Sequence, residues 1–421
     1  MPIEKAPYLV YSEQVSAVNY DLSNGADVLA IIAPTKFAKL TSDGQIETET
    51  KNGQIVTKWN EPTISEDEIL VFNRYSIAED RIQSEELKKV LKDFFLENSY
   101  YSSADNLGVN AVMIVPLPTE TTGSGENQEA HPTIGDFINA YNLLRKYRRI
   151  TAIGCVGIGE SENLASLGVT LRTYLMEDQS EGQLKMVYIK APTRGENETI
   201  TSYATKIANI NQTHNNVAGI NSSRVALIEP VHYGTLLAKI CNTEYYLEPG
   251  YLPINSLAVG EFDVLSNEER DKLCMSGLVF GEDDVLLPTT VPRICLGVSS
   301  SFGRPYSASA EGYDSRPADA LLHARRNVDH HVREVLKILS QQIKRNETSV
   351  TIRYVKNEVM SYFEDELNKG TIQQYSFNVT ESSYNPYCLL VTGSIVPVNS
   401  TLAIEFSNRI EAPYMVASDY V

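Results

Sequence analysis

Four short clusters in this chain carry residue types and spacings that could do chemistry. Gly154-x-x-Gly157-x-Gly159 follows an apolar stretch, and glycines after a strand let backbone amides cradle a phosphate. The spacing fits neither the dinucleotide fingerprint nor the P-loop, and no Lys-Ser/Thr pair follows, so a tight strand-to-helix turn is the simpler reading. Arg145-Lys146-Tyr147-Arg148-Arg149 could touch phosphates, but a basic run at the end of a helix also complements the negative end of its dipole. His330-His331 lies in a helical stretch, where adjacent side chains diverge by about 100° and cannot close on one ion; core-edge or solvated histidines fit better. Glu282-Asp283-Asp284 lacks the spaced oxygen ligands of a calcium loop and reads as a solvated turn. Gly-x-Ser-x-Gly, His-Glu-x-x-His and Cys-x-x-Cys are absent. The reading is therefore no catalytic residue, no metal ligand and no cofactor; an α/β enzyme remains the alternative only with a site that leaves no motif.

Bulk properties narrow the class. A net charge of -18 repels nucleic acid and anionic membranes, so neither is expected as a partner. With 42% hydrophobic and 21% charged residues, 421 residues can bury a sizeable core in two or three domains. Cys155, Cys241, Cys274, Cys295 and Cys388 are odd in number and lack metal spacing, which suits free buried thiols. No apolar run approaches the length of about 18 residues needed for a membrane span, and Met1–Lys5 does not open a secretory signal.

The elements that must position these clusters alternate. Val28–Ala33, Val112–Val115 (ended by Pro116), Ile150–Val156, Met186–Ile189, Val225–Ile228 and Pro292–Val298 are apolar strand runs. Between them lie a helix after Ser84, one opened by Thr133-x-x-Asp136, Thr201–Ile210, Leu236–Cys241, and one capped by Ser266-x-x-Glu269. Polar residues 40–63, with Asp43-Gly44 and Asn52-Gly53, form a hairpin excursion. The middle of the chain is α/β.

The last quarter changes character. Leu321, Arg325, Val328, Val332, Val335, Leu336, Leu339 and Ile343 make one helical stripe, and Ile352, Val355, Val359, Phe363 and Leu367 a second that stops at Lys369-Gly370. Tyr375, Phe377 and Val379 alternate, as do Tyr387, Leu389 and Val391 after a turn at Ser382–Pro386. Ala412–Val416 then carries strand pattern with no partner of its own, and residues 1–24 form an equally unplaced arm.

With these elements in order, the chain resembles the contractile tail sheath family of phages, pyocin-like particles and related injection systems. The likeness rests on Ile294–Ser300, the helix with Arg325-Arg326-x-x-Asp329, the Asn346 linker, the helix ending Leu367-x-x-Gly370, and strands at Tyr375–Val379 and closing on Ile395–Pro397, with Ile404-x-Phe406 after them. Upstream, Ser223–Pro230, the Gly234–Cys241 helix and Leu265–Phe280 follow the same order. The arm departs from the family, with Ala6-Pro7-Tyr8-Leu9-Val10-Tyr11 where Pro-Gly-Val-Tyr is usual, and Ser299-Ser300 stands for a Thr-Thr strand end.

The resemblance implies an inner domain of two helices and a small sheet with exchanged arms, into which an α/β outer domain is inserted. The expected partition is an N-terminal arm (1–24), an outer domain (25–290), an inner domain (291–408) and a C-terminal arm (409–421). It implies a structural subunit of a virion tail, assembled in the host cytoplasm. Copies of the chain stack as hexameric rings around an inner tube protein, between baseplate and tail terminator, and contraction drives the tube through an envelope. Another self-assembling shell component is the alternative outside catalysis. By carry-over, Tyr8, Val10, Tyr11, Val15, Pro413, Tyr414, Met415 and Val416 lie on exchanged strands. Tyr375, Phe377, Val379, Tyr387, Leu389 and Val391 belong to the receiving sheet, and Lys356, Glu358, Glu364 and Asp365 are tube-facing candidates.

Overall fold

The computed structural model describes residues 28–398, except 53, 103–110, 123–129, 160, 212–218, 221, 223, 248, 250–253, 255–264, 285–290, 296–321, 342–348 and 382–388. Both arms, Tyr387 and the Ile404–Phe406 stretch lie outside the described residues.

From the N-terminal side, β1 (Leu29–Pro34) leads to β2 (Phe37–Ala38), the hairpin β3 (Thr48–Lys51) and β4 (Gln54–Thr57), then β5 (Trp59–Asn60) and β6 (Leu70–Phe72). The expected hairpin turns at Asn52, which takes a positive φ of 52°. Next come α1 (Tyr75–Arg81), α2 (Glu85–Ser102), β7 (Val112–Leu117), α3 (Ile134–Leu144), β8 (Ala152–Cys155), α4 (Ser161–Ser180), β9 (Met186–Lys190), α5 (Ile200–Asn211) and β10 (Val225–Ile228). Then follow α6 (Tyr233–Asn242), α7 (Asn267–Ser276), β11 (Leu278–Asp284), β12 (Val291–Cys295), α8 (Leu322–Ser340), α9 (Ser349–Lys369), β13 (Ile372–Glu381) and β14 (Leu389–Pro397).

Eight strands form one sheet in the order β12-β11-β10-β9-β8-β1-β7-β6. The central pairings are parallel, and antiparallel β6 and β12 close the two edges. A parallel sheet is covered on both faces, which is why its strands read as unbroken apolar runs. β1 makes the point: Leu29, Ile31 and Ala33 enter the core under α2 and α6, while Ala30 and Ile32 enter the core under α3, α4, α5 and α7. The fold is α/β, as the alternation of elements implied.

Three local readings change. β7 runs through Pro116 to Leu117: the carbonyl of Leu117 accepts from Thr35 on the β1 side, so Pro116 faces the other side, where β6 has already ended opposite Ile114. Glu282–Asp284 is not a turn but the end of β11, paired with β12 through Phe280–Asp284. β12, assigned by sequence to the C-terminal domain, is thereby an edge of the large sheet. Helix α4 went unread, although Leu164, Leu167, Leu171 and Leu175 mark its buried stripe.

Candidate assembly site: an open ribbon and a buried polar seam

The C-terminal elements build a small core of their own. α9 buries Val355, Val359 and Phe363, and its last turn ends at Gly370, whose positive φ of 74° glycine adopts without strain. Val359, Phe363 and Ile372 form the centre, ringed by Val335 and Ile338 of α8, Tyr362, Tyr375, Phe377 and Ile395. The Phe363 ring stacks on Tyr375 at 5.0 Å between centroids. β13 and β14 pair antiparallel from Ile372↔Pro397 to Glu381↔Leu389, and among the described residues they pair only with each other. Both strands are longer than their sequence pattern suggested.

The receiving-sheet residues therefore come together as far as they are described. Val379 is buried, Tyr375 and Phe377 are half-buried against α9, Val391 is half-buried, and Leu389 opens β14. The opposite face is polar, with the Ser376 and Ser394 hydroxyls bonded across the strands at 2.7 Å. Lys356, Glu358, Glu364 and Asp365 are all exposed on α9.

Where α8 meets the sheet layer, the sequence reading is reversed. Its apolar stripe (Val328, Val332, Val335, Leu336, Leu339) is only half-buried, whereas His323, Arg326, Asn327, Asp329 and His331 are fully buried. Partners distant in sequence explain this. The Asp329 carboxylate accepts a bidentate pair from Arg224, at 2.5 and 2.9 Å, and a second pair from Arg325 at 3.1 and 2.6 Å. Arg326 donates to the Thr243 carbonyl at 2.7 Å, and Arg333 to the Leu184 carbonyl at 3.0 Å. Tyr245 stacks on His330 at 3.6 Å and donates its hydroxyl to Glu366 at 2.8 Å. A period count sees apolar residues and is blind to polar ones satisfied from across the fold.

Electrostatics here follow burial. Desolvation pushes His330 down to about 3, with His331, Arg333 and Arg326 adding repulsion against the pull of Glu366. His331 falls to about 4 by burial, partly opposed by Glu366. Burial disfavours the Glu366 carboxylate, but hydrogen bonds from Lys369, Thr371 and Tyr245 win and hold it at about 2. All three folded values lie below the unfolded ones, so the folded chain resists protonation. The stability they confer is complete above about pH 6.5, falls as the histidines are forced to charge between roughly pH 6.5 and 3, and falls again below about pH 4.5 with Glu366. We expect the Tm to drop from pH 7 to pH 5, with a shallower slope in His331→Gln; equal slopes in thermal melts of the two proteins would contradict this.

The other clusters resolve simply. Gly157 has a φ of 86°, and a Cβ there would lie 2.5 Å from the Pro34 ring, so the glycine turn is closed against the end of β1. That junction between β1 and β8 is where crossovers change direction and doubly wound folds hold ligands; here the Pro34 ring packs against Gly157. The basic run follows the end of α3, with Arg145 as its C-cap; Arg145 also reaches Asp178 at 2.6 Å, and Lys146 pairs with Glu66. No group of three His, Cys, Asp or Glu among the described residues is placed to hold a metal ion. Cys155, Cys241 and Cys274 are free thiols, and burial pushes Cys155 up to about 12. No described helix is long and apolar enough to cross a membrane.

This arrangement of elements has counterparts among solved structures. A chain in the cryo-EM structure of the anti-feeding prophage (AFP) baseplate, 6-fold symmetrised, matches with a TM-score of 0.59 and 12% identity, over 96% of this chain and 100% of that one. A chain in the cryo-EM structure of an extracellular contractile injection system, the PVC sheath complex in its contracted state, matches with a TM-score of 0.56 and 10% identity, over 95% and 97%. What is shared is the fold. No protein-family profile matches the chain, and no curated protein does.

Proposed function

We propose that the chain is a structural, non-enzymatic subunit of a contractile injection system, of the kind that forms the sheath. Copies assemble as hexameric rings stacked helically around an inner tube, and contraction of the lattice drives the tube through a cell envelope. One observation carries the reading: the fold likeness spans nearly the whole of this chain and of a chain from a sheath complex, more than a shared α/β motif alone produces. The open ribbon agrees with it. A two-stranded sheet is marginal alone, and among the described residues β13 and β14 pair only with each other, which leaves edges on which strands from Tyr8–Val15 and Pro413–Val416 of other copies could pair. Lys356, Glu358, Glu364 and Asp365 would face the tube, and the baseplate and tail terminator would cap the lattice. A baseplate subunit is the second reading, favoured by the first of the two likenesses.

Negative-stain microscopy of the purified chain tests this. Ribbed cylinders support a sheath, and single rings support a baseplate part. Deleting residues 1–24 or 410–421 should leave circular dichroism unchanged and abolish cylinders. Small monodisperse particles at every salt and protein concentration would sink both readings.

A further inference from the structure

We propose that α8, α9, β13 and β14 form a separately moving body, pivoting on Leu322 and latched to the sheet layer by Asp329. The unit has a small apolar core of its own, and among the described residues that core comes from these four elements. Among the described residues, α8 has apolar contact with the chain outside this unit at two points: Leu322 inserts into the core under α2 and α6, and Leu336 packs against Gly182. Beside these two points, polar groups cross the seam among the described residues: Arg224 on Asp329, Arg326 on Thr243, Arg333 on Leu184, and Tyr245 on Glu366 and His330.

An apolar seam resists opening because its surface must be rehydrated unfavourably, whereas a polar seam exchanges its hydrogen bonds for water at small net cost. Interfaces of that composition permit relative motion of bodies within one chain. Asp329 is the exception that holds the seam shut. It is a single buried carboxylate between the guanidiniums of Arg224 and Arg325, with side-chain exposure of 2%. Without its charge, two cations face each other and the open form, in which both reach water, gains. The inference does not depend on whether the chain polymerises.

Hydroxyl-radical footprinting by mass spectrometry on the full chain tests it. His331 is wholly buried beneath Tyr245 at the seam, Phe363 reports the unit's own core, and Tyr141 reports the sheet layer. Asp329→Asn should raise oxidation of His331 at least tenfold and leave Phe363 and Tyr141 at wild-type rates. Arg224→Gln cuts the latch from the other side and should give the same pattern, while Arg325→Gln leaves the bidentate pair and should change His331 less than twofold. An unchanged His331 in both latch variants overturns the proposal. So does a joint rise at Phe363 or Tyr141, because the change would then be unfolding and not release.

Discussion

Asp178→Ala is expected to lose about 3–5 kcal/mol of stability, the cost of leaving a buried cation without its partner. The Asp178 side chain has no exposed surface and accepts from Tyr141 at 2.7 Å, Arg145 at 2.6 Å and Lys185 at 3.1 Å. Lys185 is itself 1% exposed, and burial pulls its pKa down against the attraction of Asp178. Gln183 alone, at 2.7 Å, would remain as an acceptor for its ammonium. Replacing both charges, as in Asp178→Leu with Lys185→Met, should recover most of the loss, because a packed apolar pair is often as stable as the ion pair. Urea denaturation of the three proteins measures this. A single variant costing under about 1 kcal/mol would show that the cluster is far better hydrated than its burial implies.

Gly234→Ala should be nearly as damaging. A Cβ at Gly234 would stand 2.1 Å from the Val90 carbonyl oxygen and 3.1 Å from the Asp93 Cβ. The obstacle is backbone, so no side-chain rotation relieves it, and α6 must move off α2 across a core that includes Val90, Leu91, Leu236 and Leu237. Overpacking of this kind costs about 3 kcal/mol. Gly135→Ala in α3 is the internal control: its Cβ meets only Thr133 Oγ1 at 3.4 Å, and alanine is the better helix former, so stability should hold or rise slightly. If the two variants melt together, the α2–α6 approach is looser than these distances require.

Legibility in the sequence tracked how local the cause was. The apolar runs of β1 and β10, and the reciprocal caps Thr133/Asp136 and Ser266/Glu269, were readable because each signal lies within a few residues. The ribbon residues were readable for the same reason. The seam was not, since Arg224 and Asp329 are 105 positions apart and Arg333 finds its carbonyl acceptor 149 positions away. The acidic triplet failed differently: Glu282-Asp283-Asp284 has turn composition, yet β12 supplies it with a ladder. Helix α4 left a legible leucine stripe that the glycine turn before it obscured.

The central position of β1 also sets a schedule for synthesis. Its neighbours are β7 and β8, so the apolar Leu29–Pro34 has no partner until Val112–Leu117 is made. That is a wait of roughly 80 residues, about 4–16 s at ordinary ribosomal rates. Throughout it, a short, uncharged, β-prone segment is exposed in the nascent chain, checked only by the proline at its end. Chaperone demand during translation should therefore concentrate on this early window, well before the C-terminal unit exists.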